Sequence, residues 1–232
     1  MMRRWSLLLV LLVASPVLGQ PAKARGLNTE GFRLYQEGRY AEALERFRAA
    51  TQANPRYALA HYNVAATLGV LRKQKKVCEY EAYPATILEH LRLAVELDPK
   101  RLKRAQEDAD LDPIRPTVGW QKLLGRSPTR PEDVPLILQA VDWYGPGVGV
   151  YGTLVRLDFQ EQGKLVLKRK KVSDEGLTEE KPLAGTYTVK GNTVEVTLPG
   201  HDKPLTGSLT PTGLLTLQEL GPLSDAPSEC EA

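Results

Sequence analysis

The stretch Gly38-Arg39-Tyr40-Ala41-Glu42-Ala43-Leu44-Glu45-Arg46-Phe47-Arg48-Ala49-Ala50, followed by Asn54-Pro55, decides how the first half of the chain reads. Ala43, Leu44, Phe47 and Ala50 recur at spacings of three and four, so they share one face of a helix whose other face is charged. Asn54-Pro55 ends that helix, because the residue before a proline is pushed out of helical angles. Upstream, Leu27, Gly31 and Leu34 repeat the spacing and Gly38 ends their helix, so residues 27–55 are predicted to form a hairpin of two amphipathic helices.

The positions of Gly38, Ala43, Phe47, Ala50 and Pro55 resemble those of the tetratricopeptide repeat (TPR) in exported bacterial proteins. Gly31 falls where that family keeps a small residue for close helix approach, and Leu27 stands where it often has Trp. A second copy follows, with Tyr62, Asn63, Val64, Ala65 and Leu68 on its first helix and Leu91, Ala94 and Asp98-Pro99 on its second. From Pro55 to Pro99 the period is 44 residues, against about 34 in the family. An insertion around Arg72 to Pro84 is therefore expected, either an extended helical turn or a lip that touches a partner. A third helix over Lys100 to Glu107, the acidic turn from Asp108 to Arg115 and the helix Trp120 to Leu123 resemble the family's closing cap, which hides an otherwise exposed apolar face. Asp108, Asp110 and Asp112 lack the glycine and glutamate that a calcium loop requires, so no metal is expected there.

The resemblance implies that a protein or peptide segment binds in a groove lined by the first helix of each repeat. The partner-groove residues it points to are Asn28, Phe32, Tyr35, Gln36, Tyr62, Asn63 and Ala66, flanked by Arg25, Leu59 and Val70. The Lys and Asn pair with which some members grip a C-terminal carboxylate is missing, since Asn28 and Phe32 occupy its places. Charging Tyr35 and Tyr62 is expected to abolish partner capture.

After Trp143 the hydrophobic period changes to two. Strands are predicted at 150–159, 164–172, 185–189, 193–198, 205–210 and 214–217, joined by short turns such as Gly191-Asn192. These six strands make an antiparallel meander, either a curved sheet on the helices or a small open barrel, vaguely similar to lipocalin-like barrels. The fold class is α+β: a signal peptide over 1–19, a helical domain over 20–124, a linker over 125–140 marked by Pro128 and Pro131, a β domain over 141–220 and a polar tail over 221–232.

Residues 1–19 carry Arg3 and Arg4, then an apolar run and a small-ended Val17-Leu18-Gly19, the layout of a secretory signal peptide cleaved near Gly19. The apolar run of about 14 residues is shorter than the roughly 20 that span a bilayer. Export, to the periplasm or beyond, would place Cys78 and Cys230 where disulfides persist, leaving a bridge or two free thiols as the alternatives.

The chain of 232 residues is 42% hydrophobic and 25% charged, which is globular composition. Its net charge of +3 falls to +1 without Arg3 and Arg4, too low for a nucleic-acid binder. The halves differ: +5 over 20–125 and −4 over 126–232, which reads first as ordinary surface variation, with weak attraction between two docked halves as the alternative. The basic run Lys168-Arg169-Lys170-Lys171 faces Asp174, Glu175, Glu179 and Glu180 across a hairpin and should be neutralised there. Gly147 to Gly152 fits G-x-G-x-x-G but precedes a strand, the wrong context for a dinucleotide. His61, His90 and His201 are scattered, and neither a catalytic motif nor a metal-ligand pair is present, so an enzyme is not expected. The expectation is a monomeric interaction protein that binds a protein segment, with no cofactor, nucleic acid or membrane span. A small-molecule or lipid carrier using the β domain, or an envelope structural or inhibitor protein, is the alternative.

Overall fold

The computed structural model describes residues 20–145, 153–174 and 176–225. The signal peptide, the 147–152 glycine motif, Glu175 and Cys230 lie outside the described residues.

The first half is helical. α1 (Pro21–Gln36) and α2 (Tyr40–Ala53) form the expected hairpin, and α3 (Ala58–Lys73) and α5 (Pro84–Leu97) form the second. Gly31 lets α1 and α2 touch: a Cβ there would lie 2.8 Å from the ring of Phe47, which is 1% exposed. The insertion between the second pair holds the short α4 (Val77–Tyr80) and folds back onto the core. Arg72 donates to the Ala82 carbonyl (3.2 Å) and Arg48 to that of Tyr80 (3.2 Å), while Ala82 is fully buried. α6 (Lys100–Glu107), a 3₁₀ turn (Ala109–Ile114) and α7 (Val118–Leu123) close the layer as expected, with Trp120 in its core at 4% exposure.

Nine strands follow among the described residues, against six expected: β1 (Trp143–Tyr144), β2 (Thr153–Phe159), β3 (Lys164–Ser173), β4 (Gly176–Glu179), β5 (Leu183–Lys190), β6 (Thr193–Thr197), β7 (Leu205–Leu209), β8 (Leu215–Leu217) and β9 (Gly221–Leu223). They run antiparallel in the order β1-β2-β3-β5-β6-β7-β8-β9, with β4 folded onto β3 outside that path. Tyr144 and Ser224 exchange backbone hydrogen bonds of 2.8 and 2.9 Å, so β9 returns to β1 and the sheet nearly closes into a barrel. Lys170 meets Glu179 at 2.6 Å across the β3–β4 hairpin, the charge pairing anticipated for the basic run.

Two boundaries are corrected. The linker placed at 125–140 contains α8 (Val134–Ala140), whose Val134, Ile137 and Leu138 are fully buried in the barrel core. Pro135 sits in the first turn, where its missing N–H costs nothing, so it opens the helix rather than preventing it. The tail placed at 221–232 begins with β9, and Leu223 is fully buried. A three-residue strand containing Pro222 is too short to show alternation; the pairing with β8 and β1 makes it a strand.

Apolar side chains of β2, β3 and β5 to β9 point inward and pack against one another and against α8, which fills the barrel with side chains. Val118 of α7 joins that cluster, so the helical layer and the barrel share a core. The junction is stitched by Lys122, which donates to the carbonyls of Pro211 (3.1 Å) and Thr212 (3.3 Å), and by the Val118 N–H, which donates to Asp225 (2.7 Å). Among the described residues the contacts that tie the halves are therefore apolar packing and hydrogen bonds that involve backbone groups.

Candidate interaction face

α1 and α3 lie side by side as the leading helices of their pairs. Asn63 donates to Asn28 (2.9 Å), a side-chain amide bond that holds the two helices together. Further along the same face the chain covers itself. Gly69 of α3 meets the turn after α6 so closely that a Cβ would lie 2.0 Å from the Asp110 carbonyl oxygen. Asp108 accepts the Tyr62 hydroxyl (2.5 Å), Asp110 accepts that of Tyr35, and the Lys73 ammonium donates to the Ala109 carbonyl. Leu111 and Ile114 drive the turn down, both fully buried.

Burial, then the hydrogen bond to Asp110, raises the Tyr35 hydroxyl above its ordinary pKa; burial, then Asp108, does the same for Tyr62. Both phenols thus remain donors at any physiological pH. The Arg104 guanidinium lies 5.4 Å from the centre of the Tyr62 ring and completes the cover.

The seven groove residues therefore divide. Tyr62 (1% exposed) and Ala66 (7%) are buried, Asn28 and Asn63 bond to each other, and Tyr35 is half-buried and bonded to Asp110. Phe32 (47% exposed) and Gln36, with Arg25 nearby on α1, are open to solvent. Asp108 and Asp110 are the residues that the sequence reading missed here. Their spacing marked a cap, but only the fold shows that the cap lies against Tyr35 and Tyr62. Charging those tyrosines would accordingly dislodge the turn and cannot report on a partner.

The histidines are also corrected. His61 on α3 and His90 on α5, 29 positions apart, face each other with Nδ1 atoms at 3.0 Å, and His61 Nε2 reaches the Pro55 carbonyl at 3.0 Å. Burial first, and then the neighbouring His61, pushes His90 down to about 4. His201, between β6 and β7, stands 3.3 Å from Glu219. Cys78 is exposed on α4. A cleft of 370 Å³ opens where α5, α7 and the β7–β8 turn meet, lined by Pro84, Leu88, Val118, Gly119 and Leu214. Among the described residues no group of three or more His, Cys, Asp and Glu is gathered around a metal position, and no helix is long and apolar enough to cross a membrane.

Residues 31–69, from the middle of α1 through most of α3, match the model of the TPR repeat family. No curated protein and no solved structure matches the chain. Over those residues the α1–α2 hairpin and the helix packed beside it are similar to a TPR repeat, and an antiparallel, nearly closed barrel follows in the chain.

Proposed function

We propose that this chain is an exported, non-catalytic interaction protein that captures a protein segment on the uncovered part of its α1–α3 face. The observation that carries the reading is Phe32, a large aromatic side chain 47% exposed on the leading helix of a TPR repeat, beside Gln36 and Arg25. Aromatic and arginine side chains are the commonest energetic anchors of interfaces. Because Phe32 supports no core, Phe32→Glu should fold as the parent does, shown by an unchanged circular dichroism spectrum. The variant should hold its partner at least about tenfold more weakly in a capture assay from extracts of the host envelope. Equal capture by the two proteins would remove this face from consideration.

Export and a bridge between Cys78 and Cys230 belong to the same proposal. The bridge would anchor the segment after β9 to the α4 insertion. Closing it removes two protons and two electrons, which a low-molecular-weight disulfide takes up as it leaves as two thiols. Protein recovered from the host envelope should begin at Gln20 and resist thiol alkylation until reduced. Ready labelling of both cysteines without reductant rejects the bridge, and an intact Met1 rejects the processing.

A further inference from the structure

We propose that the segment after β9, Ala226-Pro227-Ser228-Glu229-Cys230-Glu231, docks on the chain's own cleft between α5, α7 and the β7–β8 turn and runs from there along the α4 insertion. Its starting point is held from two sides. Ser224 exchanges backbone hydrogen bonds with Tyr144 of β1, and the Asp225 carboxylate accepts the Val118 N–H of α7 at 2.7 Å. Asp225 thereby lines the 370 Å³ cleft, so the residues that follow it start at the cleft wall.

The cleft has apolar surface to cover. Leu214 is 40% exposed on one wall and Leu88 is half-buried on another. Pro227 comes two residues after Asp225, which keeps its Cα within about 7 Å of the anchored one. Ala226 and the Pro227 ring are thus the apolar groups within reach of both leucines, and seating them removes apolar area from water.

Charge and chain length set the direction. Beyond Leu88 the trough continues toward Val95 and Leu123 as a second cleft of 490 Å³, but Glu89 and Glu96 stand there, and Arg92 is already paired with Glu96 at 2.6 Å. The opposite end is walled by Tyr83, and residues 72–83 carry four cations and two carboxylates, with Lys75 and Lys76 exposed. The 225–231 segment carries three carboxylates and no cation. Glu229 and Glu231 are therefore drawn toward Lys75 and Lys76 and repelled by Glu89 and Glu96. Five residues lead from Asp225 to Cys230, and five lead from Tyr83, in the same cleft, to Cys78. Five extended residues span about 17 Å. The stretch from Tyr83 to Cys78 is shorter, since part of it is helical in α4, so the segment reaches the insertion with slack. The Cys78–Cys230 bridge proposed above would fix this path covalently. The seat itself rests on the apolar cover and the charges and does not require the bridge.

The test uses the full chain in two forms, the parent and Cys78→Ser/Cys230→Ser, which cannot form the bridge. In both, nuclear Overhauser effects should connect the Pro227 ring to methyl groups of Leu88 or Leu214. Adding Lys75→Glu/Lys76→Glu to the serine form should speed cleavage after Glu229 by a glutamate-specific protease at least about tenfold, because cleavage follows the undocked population. Both lysines are exposed, so the circular dichroism spectrum should not change. Overhauser effects in the serine form, with ready labelling of both cysteines in the parent, would reject the bridge and keep the seat. Effects confined to a bridged parent overturn the seat and leave the disulfide as the only tether. Effects seen only between differently labelled copies give the cleft to a second chain and overturn it too. So does their absence from both forms, or an unchanged cleavage rate in the lysine variant.

Discussion

Trp143→Ala should lower the stability of the protein by about 3–5 kcal/mol, the range for removing a large aromatic from a packed core. Trp143 is fully buried on β1, where it pairs with Leu157 of β2. Its indole N–H donates to the Leu138 carbonyl (3.1 Å) at the C-terminal turn of α8. One side chain therefore joins the strand that closes the barrel to the helix that fills it. Alanine would leave a cavity in the barrel core and an unpaired carbonyl beside it. Urea denaturation followed by circular dichroism measures the loss, and the barrel should melt before the helical layer if the two are separable. A change below about 1 kcal/mol would mean that α8 is not seated in the barrel core as described.

Gly69→Ala should cost about 2–3 kcal/mol although alanine is the better helix former. The added methyl would stand 2.0 Å from the Asp110 carbonyl oxygen, and the obstacle is backbone, which no rotamer change relieves. Either α3 shifts or the 109–114 turn lifts, and lifting it breaks the bonds of Asp108 to Tyr62 and Asp110 to Tyr35 and exposes Leu111. A displaced turn should also change the near-ultraviolet circular dichroism of the tyrosines and open the 108–115 segment to proteolysis. An unchanged denaturation midpoint with an unchanged spectrum would show that the turn does not lie against α3.

The TPR hairpin was legible because its pattern is local: apolar spacing of three and four, Gly38, and Asn54-Pro55 within one short stretch. The insertion was legible as a lengthened period, and the antiparallel meander as a period of two with short turns. The barrel's closure was not, because β1 has two residues and β9 three, too few to display any period. α8 was hidden for a related reason, since Pro128, Pro131 and Pro135 read as loop punctuation while Val134, Ile137 and Leu138 make barely two helical turns. The candidate site divides the same way. Phe32 and Gln36 follow from repeat position alone, but Tyr35, Tyr62 and Asn28 have partners 35 to 75 residues distant.

The sequence by itself determined that the chain is α+β, that its first half packs as TPR-like helix pairs with an insertion between α3 and α5, and where the main strands and turns fall, because these depend on neighbours within a few residues. Tertiary structure alone decided that the sheet nearly closes, that α8 packs in its core, that an acidic turn covers part of the α1–α3 face and that His61 meets His90. Each of these joins residues far apart in the chain, and their pairing is set by which surfaces bury together rather than by any local period.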